Sequence, residues 1–334
     1  MQVDVRIVAP ESFGSALLYL TGSKAHSIAL RRRARSLGCK LNEYGVFRGA
    51  ERLAGATEED AYQALGLPWI APEPREDGGE IAAAEHGRLP VLIEPSDLRG
   101  DLHCHTRASD GRHSLREMAL VAQRLGWEYL AITDHSQRLS IAHGLDAERL
   151  ARQLDEIDRL NDELESLTLL KGCEVDILAD GRLDLNDDIL ARLDLVVGAV
   201  HSQLQLPAAQ QTRRILRAMD SPYFTVLAHP SVRLLLQREA CALDMHAVIR
   251  HARQRGCFLE LNAQPQRLDL DEFHCRLAKE EGVLLSIASD AHRVADFALL
   301  DYGIGQARRG WLERVDVLNT RSLAQLRQLL RQTR

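Results

Sequence analysis

Asp101-Leu102-His103-Cys104-His105 closes the first of seven apolar runs, and its reading decides the fold. Successive side chains of a strand alternate faces, so His103 and His105 point one way and Cys104 the other. Two imidazoles spaced i, i+2 on one strand face can grip a metal ion, with Asp101 on the same face as an orienting partner. The Cys104 thiol is expected to pack instead. From Arg99 onward, strand-like runs end near His105, Thr133, Glu174, Val200, Ala228, Asn262 and Ala288, with amphipathic helices in many of the gaps. One expected helix, Ser114 to Leu125, opens on a Ser114/Glu117 capping box. Another, Asp146 to Leu164, aligns Leu150, Leu154, Ile157, Leu160 and Leu164 in one stripe. Parallel strands require crossovers, usually helical. The pattern therefore predicts a closed or distorted α/β barrel, with an open doubly wound sheet as the rival.

Functional groups of parallel βα folds collect at the carboxyl ends of the strands. Here the first strand ends in His103 and His105, the second runs into Asp134-His135, and the third ends in Glu174. His201 and His229 follow the fourth and fifth, and Asp290 and His292 follow the seventh. The sixth ends in Asn262, a poor ligand. Asp110, in the Ser109-Asp110-Gly111 turn, is within reach of the same place. Imidazole mixed with carboxylate suits Zn²⁺, Mn²⁺ or Fe²⁺ rather than a cysteine-rich structural zinc. So many candidate ligands exceed the needs of one ion, so two or three divalent ions are implied, with Glu174 as the natural bridging carboxylate. Such clusters support phosphoester hydrolysis. Neither a Ser-His-Asp triad nor a phosphate-cradling GxxxxGK[ST] loop is present. The remaining histidines, His26, His86, His113, His143, His246, His251 and His274, are expected at the surface, with His113 and His143 nearest the site.

The chain has 334 residues, with 42 Lys and Arg against 48 Asp and Glu, a net charge of −6. That excludes a uniformly basic nucleic-acid binder but not a local basic patch. Lys24 to Arg48 is such a patch, with seven basic residues and one acid. Its helix, expected from Ser23 to about Leu37, carries Lys24, Arg31, Arg32, Arg33 and Arg35 and is preceded by Thr21-Gly22-Ser23. Amides at such a helix start can take a phosphate, and the arginines add a non-specific electrostatic term. Ahead of it, Val3 to Val8 alternates as a strand and Phe13 to Tyr19 reads as a helix; Leu41 to Phe47 reads as a hairpin. Three prolines and two glycines between Pro68 and Glu80 mark a linker. The expected division is residues 1–70, a linker at 71–98 and a barrel at 99–334. Six scattered cysteines suggest no disulfide framework, and no signal peptide or apolar span is evident, so a cytoplasmic location without membrane contact is expected.

DLHCHT at 101–106, TDHS at 133–136, EVD at 174–176, VHS at 200–202, AHP at 228–230 and SDAH at 289–292 resemble, in order, the motifs of the PHP (polymerase and histidinol phosphatase) domains. The resemblance implies a distorted (β/α)7 barrel with a trinuclear site. Its ligands would be His103, His105, Asp110, His135, Glu174, His201, His229, Asp290 and His292. A narrower resemblance is to the bacterial family X DNA polymerases, carried by LRGDLHCHTRASDG, GCEVDILADG, NAQPQRLDL and YGIGQARRGWLERVDVLNTR. VDVRIVAPESFGSALLYLTGSKAHSIALRRRARSLGCKLNEYGVF is similar to the palm end and thumb of that family, which makes residues 1–70 a small α+β thumb-like domain. The thumb resemblance implies DNA contact through Gly22, Ser23, Lys24, Arg31, Arg32 and Arg35, with Tyr19 and Leu20 matching a pair near the incoming nucleotide's sugar.

Several features depart from the family. Of three palm carboxylates only the last has a match, Asp4, and the nucleotide-binding Gly-Ser motif is absent, so the chain is not expected to polymerise. Ser231-Val232 replaces Thr-Gly, and Gln264 replaces a frequent Asn. Arg233 and Arg267 match in place and would hold the substrate phosphate, while Glu174 would bridge the ions beside the attacking water. The resemblance implies a Mn²⁺-favouring phosphodiesterase acting on single-stranded or gapped DNA 3′ ends in repair. That means a 3′–5′ exonuclease, with 3′-phosphatase or abasic-site endonuclease activity as variants. The alternatives are a phosphomonoesterase of the histidinol phosphatase type and a non-catalytic DNA-binding remnant.

Overall fold

The computed structural model describes residues 3–333. They fall into two compact units, one ending at Val91 and the other beginning at Leu92. The first unit holds the helices Phe13–Thr21, Lys24–Ser36, Glu58–Ala64 and Glu80–Glu85 and the strands β1 (Lys40–Asn42), β2 (Gly45–Arg48) and β3 (Glu51–Ala54). The expected hairpin is β1–β2, to which β3 adds a third antiparallel strand.

Val3 to Val8 forms no strand: Val3, Val5 and Ile7 are 69, 83 and 96% exposed. Alternation is present, but among the described residues no neighbouring strand supplies the ladder that would fix it. The 71–98 linker is also corrected. Two of its charged residues act as buried counter-ions of the first unit: Arg75 is fully buried and forms a two-pronged pair with Glu58 (2.5 and 2.9 Å), and Glu80 meets His26 at 2.5 Å. Ile70 and Ala84 join that unit's apolar core. Residues from Leu92 onward belong to the second unit, where the Ile93 amide donates to the Leu312 carbonyl at 3.0 Å.

The second unit is built on β4 (Gly100–Asp101), β5 (Tyr129–Ile132), β6 (Thr168–Asp176), β7 (Leu195–Ala199), β8 (Val226–Leu227), β9 (Phe258–Asn262) and β10 (Leu285–Ala288). All pair in parallel and in chain order, β4 beside β5 through to β9 beside β10. The helices Leu115–Arg124, with its capping box, and Ala147–Glu163 stand where the sequence placed them.

Period-two alternation sorts each strand. Tyr129, Ala131, Leu170, Leu195, Val197 and Ala199 pack with Leu326 and Leu330 of the C-terminal helix Leu323–Gln332. Leu130, Ile132, Leu169, Cys173, Val175 and Val196 instead pack with the crossover helices. Glu174 continues the Leu170–Gly172 side of β6, which aims its carboxylate inward at the strand's end.

The seam between β4 and β10 is spanned by several contacts, so the sheet is nearly closed into a barrel. A bridge joins Cys104 to Ala291. Below it the fully buried Asn319 does the work of a missing strand. Its Oδ1 accepts from the Ile287 amide (3.1 Å), and its Nδ2 donates to the carbonyls of Gly100 and Ile287 (2.8 Å each).

Candidate metal centre

The strand ends converge on a cavity of about 760 Å³ lined by Asp110, His135, Glu174, His201, His229, Asp290 and His292, together with Arg112, Arg267 and Arg293. Glu174 sits at its centre. One carboxylate oxygen, Oε2, lies 2.8 Å from His135 Nδ1, 3.4 Å from His103 Nε2 and 3.5 Å from His105 Nε2. The other, Oε1, lies 3.0 Å from His229 Nε2 and 3.3 Å from His201 Nε2. Eight of the nine expected ligands fall into three overlapping sets with donor atoms within 4.8 Å of one another. These are His105/Asp110/His135/His292, His103/His105/Asp290 and His135/Glu174/His201. His229 adjoins the last set through Glu174.

The donor chemistry fits divalent ions. His103 Nδ1 lies 2.6 Å from Glu260, His201 Nδ1 2.6 Å from Asp176, and His292 Nδ1 2.9 Å from the Asp290 carbonyl. Each acceptor holds the proton on Nδ1 and leaves the Nε2 lone pair facing the cavity. His103 Nε2 and His105 Nε2 stand 3.2 Å apart, two nitrogens that need a shared cation or proton between them. Buried Nδ1 atoms of His105 and His229 have no hydrogen-bond partner among the described residues. His229 and Asp290 carry φ of +26° and +50°, strain of the kind that clusters at functional sites.

Electrostatics agree. Burial alone would raise the Glu174 carboxyl, but the imidazoles of His135, His103 and His201 hold it well below the usual carboxylate range. Asp290 is depressed likewise, burial being outweighed by His103 and His105. Burial opposes the charge on His135, yet Glu174 and Asp110 push it up to about 10. His201 and His292, also against burial, rise to about 9. His105 is driven down to about 4 by burial and by the neighbouring His135 and His292. The cavity thus concentrates negative charge that imidazolium protons offset, and divalent ions can take the protons' place.

Two families match the chain: the DNA polymerase beta thumb over residues 16–76 and the PHP domain over residues 101–264. A DNA polymerase/3′-5′ exonuclease PolX from Bacillus subtilis (strain 168) is 42% identical over 98% of this chain. The chain spans 58% of that relative's length. A probable phosphatase from Acetivibrio thermocellus is 30% identical, covering 65% of this chain and 87% of the relative. This chain belongs to the PHP domain family. A solved histidinol phosphate phosphatase from Lactococcus lactis subsp. lactis Il1403 superposes with a TM-score of 0.49 at 14% identity, covering 64% of this chain and 93% of that one.

Around this PHP centre, two sequence expectations change. Asp101 does not orient an imidazole: its carboxylate accepts from the His103 amide (3.2 Å) and from the amide and hydroxyl of Ser289. It thereby ties β4 to the β10 end. Arg233 is absent from the cavity lining, its guanidinium being spent on the carbonyls of Arg267 (2.8 Å, from Nε) and Leu268. It braces the loop that carries Arg267. Arg267 itself lines the cavity, 3.8 Å from Asp290, with Nη1 buried and without a partner among the described residues. Cys104 packs as expected, donating to the Ala131 carbonyl (3.2 Å).

Sequence reasoning missed Glu260. It is a buried acid inside an apolar strand, Phe258-Leu259-Glu260-Leu261-Asn262, and that placement was the available signal. Besides His103, it accepts from the His229 amide (3.1 Å) and from Asn262 Nδ2 (2.8 Å), while Asn262 Nδ2 also donates to Asp290 (3.0 Å). The strand that supplies no ligand therefore touches three of them. His26, expected at the surface, is fully buried between Glu80 and Tyr62.

In the thumb unit, Lys24, Arg32 and Arg35 are exposed, and Arg31 lies over the Tyr19 ring at 5.2 Å. Arg33 turns inward to the Leu65 carbonyl (2.6 Å) and Glu85. The expected amide cradle at Gly22-Ser23 is occupied. Gly22 donates to Leu18 (3.4 Å), Ser23 donates to Arg75 (3.0 Å), and the Ser23 hydroxyl caps the His26 amide (3.1 Å).

Proposed function

We propose that this chain is a divalent-metal-dependent phosphodiesterase acting on DNA 3′ ends in repair, a 3′–5′ exonuclease. The observation that carries the reading is a PHP metal centre in the same chain as a DNA polymerase beta thumb with an exposed basic helix face. The relationship to the PolX protein supports it. Divalent ions, Mn²⁺ favoured and Zn²⁺ or Fe²⁺ compatible with the donors, would supply an activated water and charge neutralisation at the phosphate.

The chain's own residues divide the remaining work. His103, His105, Asp110, His135, Glu174, His201, His229, Asp290 and His292 would hold two or three ions. Arg267 Nη1 would donate to a non-bridging phosphate oxygen, held in place by Arg233. Lys24, Arg31, Arg32 and Arg35 would supply sequence-independent attraction to the DNA backbone.

The probable-phosphatase relatives favour a second reading, hydrolysis of a small phosphomonoester. Turnover of 3′-tailed DNA and of histidinol phosphate, measured side by side with Mn²⁺, decides between them. Faster hydrolysis of the small ester would overturn the nuclease reading.

A further inference from the structure

Between β8 and the helix Met245–Arg255 the chain passes through Leu234-Leu235-Leu236, three successive leucines in a surface turn. Leu235 is 39% exposed, and Leu236 is fully exposed, at 108%, with φ +62°. A run of apolar residues in a solvated turn, ending in a leucine in the left-handed region, is unfavourable on both counts.

The turn is nevertheless firmly built. Leu234 and Arg238 exchange both backbone hydrogen bonds (2.9 and 2.8 Å), and Arg238 donates from Nε and Nη2 to the Val232 carbonyl (3.1 and 2.8 Å). The Cys241 amide closes the base of the loop on the Ser231 carbonyl (2.9 Å). It is also fixed to the rim of the metal cavity. The Leu235 amide donates to the Gln266 carbonyl (2.6 Å), Arg233 donates to the Arg267 carbonyl, and Pro265, Gln266 and Arg267 all line the cavity.

The occupant follows from what that cavity is made to hold. Its ligands and guanidinium groups suit a phosphodiester, and few apolar side chains line it. A nucleotide bound there through its phosphate has an apolar base face to place at the rim, where the exposed leucines stand. Leucine inserted between base steps is a recurrent way to unstack them.

We propose that Leu236 is a wedge that packs against the base beside the phosphodiester to be cleaved and parts the terminal base pair of a duplex. This rests on the nuclease reading above and extends it from single-stranded to paired 3′ ends.

The test uses the full chain with Mn²⁺ as wild type, Leu236→Ala and Leu236→Gln. Release of the 3′-terminal nucleotide is followed from a single strand and from a blunt duplex of the same sequence. The duplex-to-single-strand rate ratio should fall about tenfold in both variants, equivalent to ~1.4 kcal/mol. In parallel, 2-aminopurine at the duplex 3′ end should brighten on binding wild type in EDTA, and not on binding either variant. A ratio within twofold of wild type, or equal brightening by all three proteins, overturns the wedge. A wild type that cleaves neither DNA but still brightens the duplex refutes the nuclease reading alone; one that does neither refutes both.

Discussion

Replacing Glu260 by glutamine isolates the contribution of the strand that supplies no ligand. The carboxylate is buried and serves three donors: His103 Nδ1 at 2.6 Å, the His229 amide at 3.1 Å and Asn262 Nδ2 at 2.8 Å. Glutamine has nearly the same shape but only one acceptor oxygen. If its amide nitrogen faces His103, Nδ1 must accept, the proton moves to Nε2, and the lone pair meant for the ion is lost. If its oxygen faces His103 instead, the amide nitrogen meets two donors. Either way the His103/His105/Asp290 set is damaged, while His105/Asp110/His135/His292 has no contact with Glu260 to lose. Loss of such an outer partner costs about 10–100-fold in metal affinity, or about 1.4–2.7 kcal/mol. Metal-stripped wild type and Glu260→Gln would be titrated with Zn²⁺ against a competing chelator, and bound ions counted by elemental analysis after gel filtration. One ion should weaken by that factor and the others hold. Uniform weakening of all ions, or affinities within twofold of wild type, would refute the reasoning.

Further outcomes follow from other parts of the molecule. Asn319→Ala strips partners from the Ile287 amide and the Gly100 and Ile287 carbonyls at the barrel seam. At about 1–3 kcal/mol per buried group left unpaired, urea unfolding should show a loss of at least ~3 kcal/mol, and a change under ~1 would contradict the role given to it. Burial alone would raise the Glu58 carboxyl, but Arg75 and Trp69 hold it below its ordinary 4.5. Its stabilising contribution is therefore complete above pH 4.5 and is lost as pH falls through the lower folded value. Glu58→Gln, which leaves Arg75 buried and unpaired, should melt lower at pH 7 by about 3–5 kcal/mol of stability and vary less with acid; identical pH slopes in the two proteins would argue against the pair. Arg267→Ala should lower kcat/KM for DNA by about 10–100-fold, as for a lost hydrogen bond to a charged group, with metal content unchanged. Metal loss in that variant would move Arg267 from the substrate to the metal centre.

Most of the barrel was legible because each strand is an apolar run ending in a polar residue, and because side chains on a strand alternate. Glu174, His201, His229, Asp290 and His292 were placed together because functional groups of parallel βα folds collect at the carboxyl ends of the strands. Other features depended on long-range partners that a local pattern does not contain. Val3 to Val8 alternates like a strand, but no strand among the described residues pairs with it. Glu260 stands inside an apolar strand where only tertiary structure reveals the imidazole across from it. Asn319 closes the seam from an irregular segment that carries no periodic signal. His26, expected at the surface, and Arg75, inside the expected linker, are buried because Glu80 and Glu58 meet them from segments 54 and 17 residues away. Arg233 and Arg267 looked equivalent in sequence; the carbonyls around Arg233 separate a brace from a group that faces the cavity.

The central claim is that ions held by these strand ends hydrolyse DNA, and the most direct test is nucleotide release from 5′-labelled single-stranded DNA by metal-stripped protein titrated with Mn²⁺. Wild type should be inactive without metal and shorten the strand from its 3′ end as Mn²⁺ is restored, while His103→Ala stays inactive at the same Mn²⁺ concentrations. Undiminished Mn²⁺-dependent release by His103→Ala, or none by fully loaded wild type, would contradict the account.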